Sequence, residues 1–234
     1  MKDVELDLLQ RFSKYLNGDL GITINQVNKV CKTGVGDKLA LKLLLEEYLG
    51  ENELFTKYYD EIVKELNPKD YTNDEYYNNV KIKNKKYLSW ELKYSKYKPY
   101  ELFVYDDFKE IDGYVIPQIG YFTKPFDYLG VYQDKRLWMS ITPNEINTMK
   151  KPIENAKGNV LVFGMGLGYY QYMISNKKQV NKITIVEHDQ NVIDLFNKII
   201  FPFFKFKIKI EIVRQDAYAY LSGVKDKEFD YIFV

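Results

Sequence analysis

The residues best suited to chemistry lie near the end of the chain. Gly164-Met165-Gly166-Leu167-Gly168 directly follows the apolar run Val160-Leu161-Val162-Phe163, and Tyr169–Ser175 after it has helical character. Strand, glycine turn and helix in that order suit a bound ligand. Glycine permits a tight turn and a close approach to the backbone, and a new helix presents unpaired N–H groups. Gly-x-Gly alone is a weak sign, so its sequel matters. Ile183-Thr184-Ile185-Val186 is a second β-branched run, and it ends in Glu187. A carboxylate at the tip of a second strand, roughly twenty residues past the glycines, can accept hydrogen bonds from both hydroxyls of a ribose. Lys209-Ile210-Glu211-Ile212-Val213 reads as a third strand, followed by Arg214-Gln215-Asp216-Ala217. Asp216 is thereby expected at the carboxyl edge of the sheet, where a purine amino group needs an acceptor. The three tips together define one nucleoside-sized hollow.

Positioning those tips requires a parallel sheet. Continuous apolar strands such as Val160–Phe163 are what burial on both faces demands. Asn191–Ile200 supplies a return helix, and Phe229–Val234 a fourth strand. The alternation Phe204–Lys209 reads as a strand with one wet face. Upstream, Leu8, Leu9, Phe12, Tyr15 and Leu16 form a helical stripe. Further helices are expected from Thr23–Asn25 to Thr33-Gly34, over Lys38–Tyr48 with Gly50 as C-cap, and from Glu53 to Leu66, ahead of Pro68. In the Tyr-, Asn- and Lys-rich stretch that follows, Leu88, Trp90 and Leu92 require burial. Leu102–Tyr105, Tyr114–Ile116 and Leu137–Ile141 read as short strands separated by Asp112-Gly113, Gly120 and Gly130. Thr142-Pro143-Asn144-Glu145 has the capping-box pattern of a helix running to Asn155. Ser140, Thr142 and Glu145 could also wall a pocket, but helix capping is the favoured reading. Tyr169 and Tyr170 are open to two roles, covering a ligand or packing on the sheet.

The expected fold class is α/β: a partial parallel sheet at the C-terminus, preceded by a small β-rich segment and an N-terminal helical bundle. The expected divisions are a helical N-terminal domain over 1–66, a connecting segment over 67–101, a β-rich segment plus helix over 102–157, and the partial sheet domain over 158–234.

Composition narrows the function classes. Of 234 residues, 46% are hydrophobic and 29% charged, a globular balance, and the net charge is +1. With so small a field, and with Arg only at positions 11, 136 and 214, nucleic acid is an unfavourable partner. Cys31 stands alone and His188 is the single histidine, which leaves no Cys- or His-based metal site and no intrachain disulfide. The N-terminus lacks an apolar leader core, and no stretch reaches the roughly 18 apolar residues of a membrane span. The expectation is a cytoplasmic chain with a small-molecule ligand and no metal. Self-association is expected, if anywhere, through the N-terminal region or an exposed sheet edge.

Residues 158–234 resemble the first half of a class I S-adenosylmethionine-dependent methyltransferase, a Rossmann-like fold. Val160–Gly168 is similar to its first motif, Ile183–Asp189 to its second, Glu211–Ala217 to its third and Phe229–Val234 to the start of its fourth. The resemblance implies S-adenosylmethionine as cofactor and a group transfer from it to an unknown acceptor. It implies that Gly164, Gly166 and Gly168 line the methionine and ribose portion, that Glu187 holds the ribose and His188 flanks the adenine. Asp216 would contact the adenine amino group, with Met165 and Ala217 in the same binding set. No catalytic residue is assigned. One departure points elsewhere: Val162 stands where many members carry an acidic residue. The related polyamine aminopropyltransferases, of the spermidine-synthase-like subgroup, often have an apolar residue there. Their small β-domain ahead of the glycines resembles residues 102–157. Aminopropyl transfer is therefore the alternative, with a non-catalytic nucleotide- or protein-binding module as a third reading. An NAD oxidoreductase would want a further glycine where Tyr169 stands. The chain stops at Val234, inside the fourth motif, so it is expected to be a fragment of a longer enzyme and inactive alone.

Overall fold

The leucine spacing of the first fifty residues folds into three helices: α1 (Asp3–Leu16), α2 (Ile24–Cys31) and α3 (Asp37–Leu49). The computed structural model describes residues 2–18, 21–205 and 208–234. Two units emerge: Met1–Asp70 with Lys96–Tyr128, and Tyr71–Ser95 with Leu129–Val234. In the first, Leu8 and Phe12 of α1 and Ala40, Leu41, Leu44, Leu45 and Leu49 of α3 are buried. Thr23 and Gln26 close a reciprocal capping box at the start of α2.

The single helix expected over Glu53–Leu66 is instead α4 (Glu53–Lys57), α5 (Tyr59–Ile62) and strand β1 (Val63–Glu65). Val63, Lys64 and Glu65 pair in parallel with Ile119, Gly120 and Tyr121. A β-branched Val63 with a ready sheet edge beside it overrides a local helical pattern. Next come α6 (Lys69–Thr72), α7 (Glu75–Asn79), β2 (Lys85–Tyr87) and β3 (Trp90–Tyr97). Trp90 and Leu92 are buried as their types require, whereas Leu88 is 73% exposed. It sits in the turn between β2 and β3 at φ +54°, which turns it away from either strand's apolar face.

Strands β4 (Phe103–Ile111) and β5 (Tyr114–Tyr121) form a hairpin at Asp112-Gly113, both at positive φ. They are followed by β6 (Phe126–Gln133) and β7 (Arg136–Ser140). Gly120 and Gly130, expected between strands, lie inside β5 and β6. At Gly120 a Cβ would come within 2.6 Å of Leu66 and 3.0 Å of Tyr105, so this glycine serves close packing and not a turn. The sheets run β1-β5-β4 and β2-β3-β6-β7, the unit division falling within β3 and β6.

The second unit continues with α8 (Pro143–Asn155), β8 (Gly158–Phe163), α9 (Tyr169–Ser175), β9 (Val180–Glu187) and α10 (Gln190–Leu195). A π-helical turn over Phe196–Ile200 extends α10, and β10 (Lys209–Arg214), α11 (Ala217–Leu221) and β11 (Tyr231–Phe233) complete the described chain. The strand expected over Phe204–Lys209 begins only at Lys209. Phe204 instead packs against the rings of Phe196 and Phe201, and Phe206 and Lys207 lie outside the described residues. Strands β8 to β11 pair only in parallel, in the order β10-β9-β8-β11. Val160, Leu161, Val162, Ile183, Ile185 and Val186 are all buried, as strands covered on both faces must be. This is a Rossmann-like α/β arrangement with β-rich and helical parts ahead of it. Among the described residues no helix is long and apolar enough to cross a membrane.

Candidate functional site

Counting from β8, the parallel sheet reads third, second, first, fourth. The strand order therefore reverses between β8 and β11, and in open α/β sheets the carboxyl ends at such a reversal are where ligands bind. A cavity of about 510 Å³ lies there. It is lined by Phe163 and Gly164 at the end of β8, Phe233 and Val234 at the end of β11, and Glu145, Thr148 and Met149 of α8. Trp138 and Met139 of β7 and Tyr169, Tyr170 and Gln171 of α9 complete the wall.

The glycine turn forms the floor. Gly164, Gly166 and Gly168 all have positive φ, but their surroundings differ. A Cβ on Gly164 would meet nothing within 4 Å, so the backbone is open toward the cavity. On Gly168 it would strike Phe196 at 2.8 Å and Ile200 and Phe204 at 3.2 Å, so this glycine is needed by the core. The turn is held from several sides. Gly164 N donates to Val186 O at 2.8 Å and Gly168 N to Met165 O at 3.0 Å. Gln171 Nε2 donates to Gly164 O at 3.0 Å and Met165 O at 3.2 Å.

Glu187 is buried beneath the turn. Its Oε2 accepts from Met165 N at 3.4 Å and its Oε1 from Asp189 N at 2.9 Å. His188 Nδ1 lies 3.2 Å from the same Oε1, on a side chain 76% exposed. Gln215 N donates to Glu187 O at 3.1 Å, which ties the tip of β10 to that of β9. Asp216, the next residue, is exposed, and its Oδ1 accepts from Ala219 N at 3.0 Å as the N-cap of α11. The structure thus brings Gly164, Met165, Gly166 and Gly168 into one cavity, with Glu187 bonded to the turn from below. His188, Asp216 and Ala217 stand along the same sheet edge and do not line that cavity.

The capping box expected at Thr142 does not form: Thr142 is the N-cap residue, but its side chain makes no cap hydrogen bond. Glu145 lines the cavity instead, its carboxyl without a hydrogen bond or ion pair among the described residues. Burial pushes its carboxyl above the ordinary range. Sequence reasoning left Trp138, Met139, Thr148, Met149, Gln171 and Phe233 unassigned. One signal was available, since Glu145, Thr148 and Met149 are spaced as neighbours on one helix face. Tyr170 stacks on Phe233 with ring centres 3.8 Å apart, and its buried hydroxyl has no hydrogen-bond partner among the described residues. Among the described residues no group of three His, Cys, Asp or Glu side chains could hold a metal ion.

Residues 144–234 match the model of the spermine/spermidine synthase domain. The matched segment starts in the first turn of α8 and takes in all four parallel strands. Among solved structures, a spermidine synthase from Thermotoga maritima is similar at 23% identity over 46% of this chain and 42% of its own, with a TM-score of 0.35. The chain spans about two-fifths of the length of that protein. No curated protein matches.

Proposed function

We propose that residues 144–234 bind a nucleoside sulfonium, with decarboxylated S-adenosylmethionine the favoured donor, within an enzyme of the aminopropyltransferase type. One observation carries this reading: a glycine turn whose backbone is open at Gly164 borders a cavity at the strand-order reversal, within a segment that matches the spermine/spermidine synthase domain. The residues present suit such a ligand. Gly164, Met165, Gly166 and Gly168 would underlie its sulfur and ribose portion. Glu187, whose contact to Met165 N is long, would exchange that contact for the ribose hydroxyls. His188, Asp216 and Ala217 would border the base. Trp138, Met139, Met149, Phe163 and Phe233 supply apolar and aromatic surface compatible with a sulfonium cation.

A donor of this class carries its own leaving group. The chain's task is then to bind, orient and exclude water, which is where proximity contributes most. Glu145, a half-buried carboxyl held above its ordinary range, is the group on this cavity wall suited to face an acceptor amine. Isothermal titration calorimetry with decarboxylated S-adenosylmethionine, S-adenosylmethionine and NAD tests the reading. The strongest binding is expected for the decarboxylated form. Tighter S-adenosylmethionine would move the reading to methyl transfer, tighter NAD to hydride transfer, and binding of none would sink it.

A further inference from the structure

The glycine turn is also held from a part of the chain far upstream, outside the matched segment. Leu167, between the second and third glycines, is fully buried. Its carbonyl oxygen accepts a hydrogen bond from Tyr76 Oη at 2.5 Å. Tyr76 is buried on α7, and its ring packs edge-on against Tyr169 and Tyr172, the first and fourth residues of α9, at centroid distances of 5.4 and 5.5 Å. One residue pair earlier, Asp74 caps α7: its Oδ1 accepts from Tyr76 N at 2.8 Å and Tyr77 N at 3.2 Å. Its Oδ2 accepts from Tyr169 Oη at 2.8 Å. One carboxylate and one phenol of the 71–80 stretch thus grip both the last peptide of the turn and the first residue of the following helix.

We infer that Asp74 and Tyr76 are positioning residues for the glycine turn, fixing the Leu167–Gly168 peptide in the orientation the donor site uses. The inference rests on the proposed reading of that site. The physical ground is that this peptide precedes Gly168, whose φ is +72°. A glycine accepts the opposite sign of φ about as readily, so residue type does not choose between the two peptide orientations, and within the turn the bond from Gly168 N to Met165 O favours the one observed. The hydrogen bond from Tyr76 fixes the other end of the same peptide from outside the turn, because a buried carbonyl turned away from its donor would be left unpaired. Burial and the neighbouring Asp74 push the Tyr169 phenol upward, so it keeps the proton with which it bonds Asp74 at any neutral pH.

Tyr76→Phe keeps the ring packing and removes this one hydrogen bond. Tyr87→Phe is the control: it removes bonds to Asp194 at 3.1 Å and from Lys198 at 2.8 Å elsewhere in the same unit. Both variants should lose some thermal stability. Calorimetry below both melting points should show binding of decarboxylated S-adenosylmethionine weakened about fivefold in Y76F, a fold-change in line with one hydrogen bond, and unchanged in Y87F. Equal affinity in Y76F and the parent, or equal weakening in Y87F, would overturn the inference. If the parent binds no donor, the proposed function fails, and amide hydrogen exchange decides the clamp. Faster exchange over residues 166–169 in Y76F alone supports it, and unchanged exchange refutes it.

Discussion

In the first unit, the buried polar side chains Glu5, Asn52 and Gln118 are each answered. Glu5 Oε1 accepts from Val115 N at 2.7 Å, and Oε2 from Lys2 N. Asn52 Oδ1 accepts from Phe55 N at 3.0 Å, while its Nδ2 donates to Asp7 at 2.9 Å. Gln118 Oε1 accepts from Tyr105 Oη at 3.0 Å, and Nε2 donates to Glu61 O at 3.2 Å. The second unit differs. The buried side-chain atoms without a partner among the described residues are Trp90 Nε1, Tyr170 Oη and Thr184 Oγ1, all in that unit. Glu145 adds a half-buried carboxyl with no counter-charge among the described residues. Each unanswered buried group costs about 1–3 kcal/mol. Of these groups Tyr170 and Glu145 line the cavity, and there the unit gives up stability that a purely structural wall would keep, as functional sites characteristically do.

The largest effects come from contrasting two glycines of one turn. Gly168→Ala should destabilise the second unit by about 2–5 kcal/mol, combining left-handed strain of ~1–2 kcal/mol with overpacking of ~1–3 kcal/mol against Phe196, Ile200 and Phe204. Gly164→Ala carries the strain alone, about 1–2 kcal/mol, because its Cβ meets open space. Urea unfolding measures both. Calorimetry should show donor binding lost in G164A, whose methyl group enters the cavity. A G164A protein that binds normally would remove Gly164 from the site.

Hydroxyl deletions in the two units should have opposite signs. Tyr105→Phe leaves Gln118 Oε1, buried in the first unit, without its donor and should cost about 1–3 kcal/mol. Tyr170→Phe removes a buried hydroxyl that has no partner among the described residues and should gain about 1 kcal/mol. Thermal unfolding of the two variants reads the difference. Loss of stability of similar size in both would erase the distinction drawn between the units.

The sheet and its glycine turn were legible because their signals are local: apolar runs, glycines and a strand-end carboxylate within 75 residues. What escaped was set by partners distant in sequence. Val63–Glu65 reads as helix until the edge at Ile119–Tyr121 is known. Leu88 looks like a core residue until its turn conformation is seen. The grip of Tyr76 on Leu167 spans 91 residues, and nothing local marks it. Glu145 shows the limit most clearly. Its position three residues after Thr142 spells a capping box, yet the cavity competes for the same carboxyl, and the cap is not made.

That competition yields the smallest and most specific effect. The folded Glu145 carboxyl titrates above its ordinary range because burial disfavours its charged form. Below the ordinary carboxylate range, folded and unfolded chains both hold the proton, and the group contributes no pH dependence. As pH rises, the unfolded chain releases its proton first, so the folded state becomes progressively less favoured until its own carboxyl ionises. Glu145→Gln abolishes this loss. The variant should therefore be more stable than the parent at pH 7, by under about 1 kcal/mol once solvent screening of a half-exposed group is allowed for. The gap should close as the solution is acidified through the carboxylate range. Urea midpoints measured between pH 4 and pH 8 would show it. A gap that stays constant across that range would mean that the carboxyl is not raised, and one that grows in the variant's favour on acidification would mean that Glu145 has a counter-charge; either would remove the unpaired carboxyl from the cavity wall.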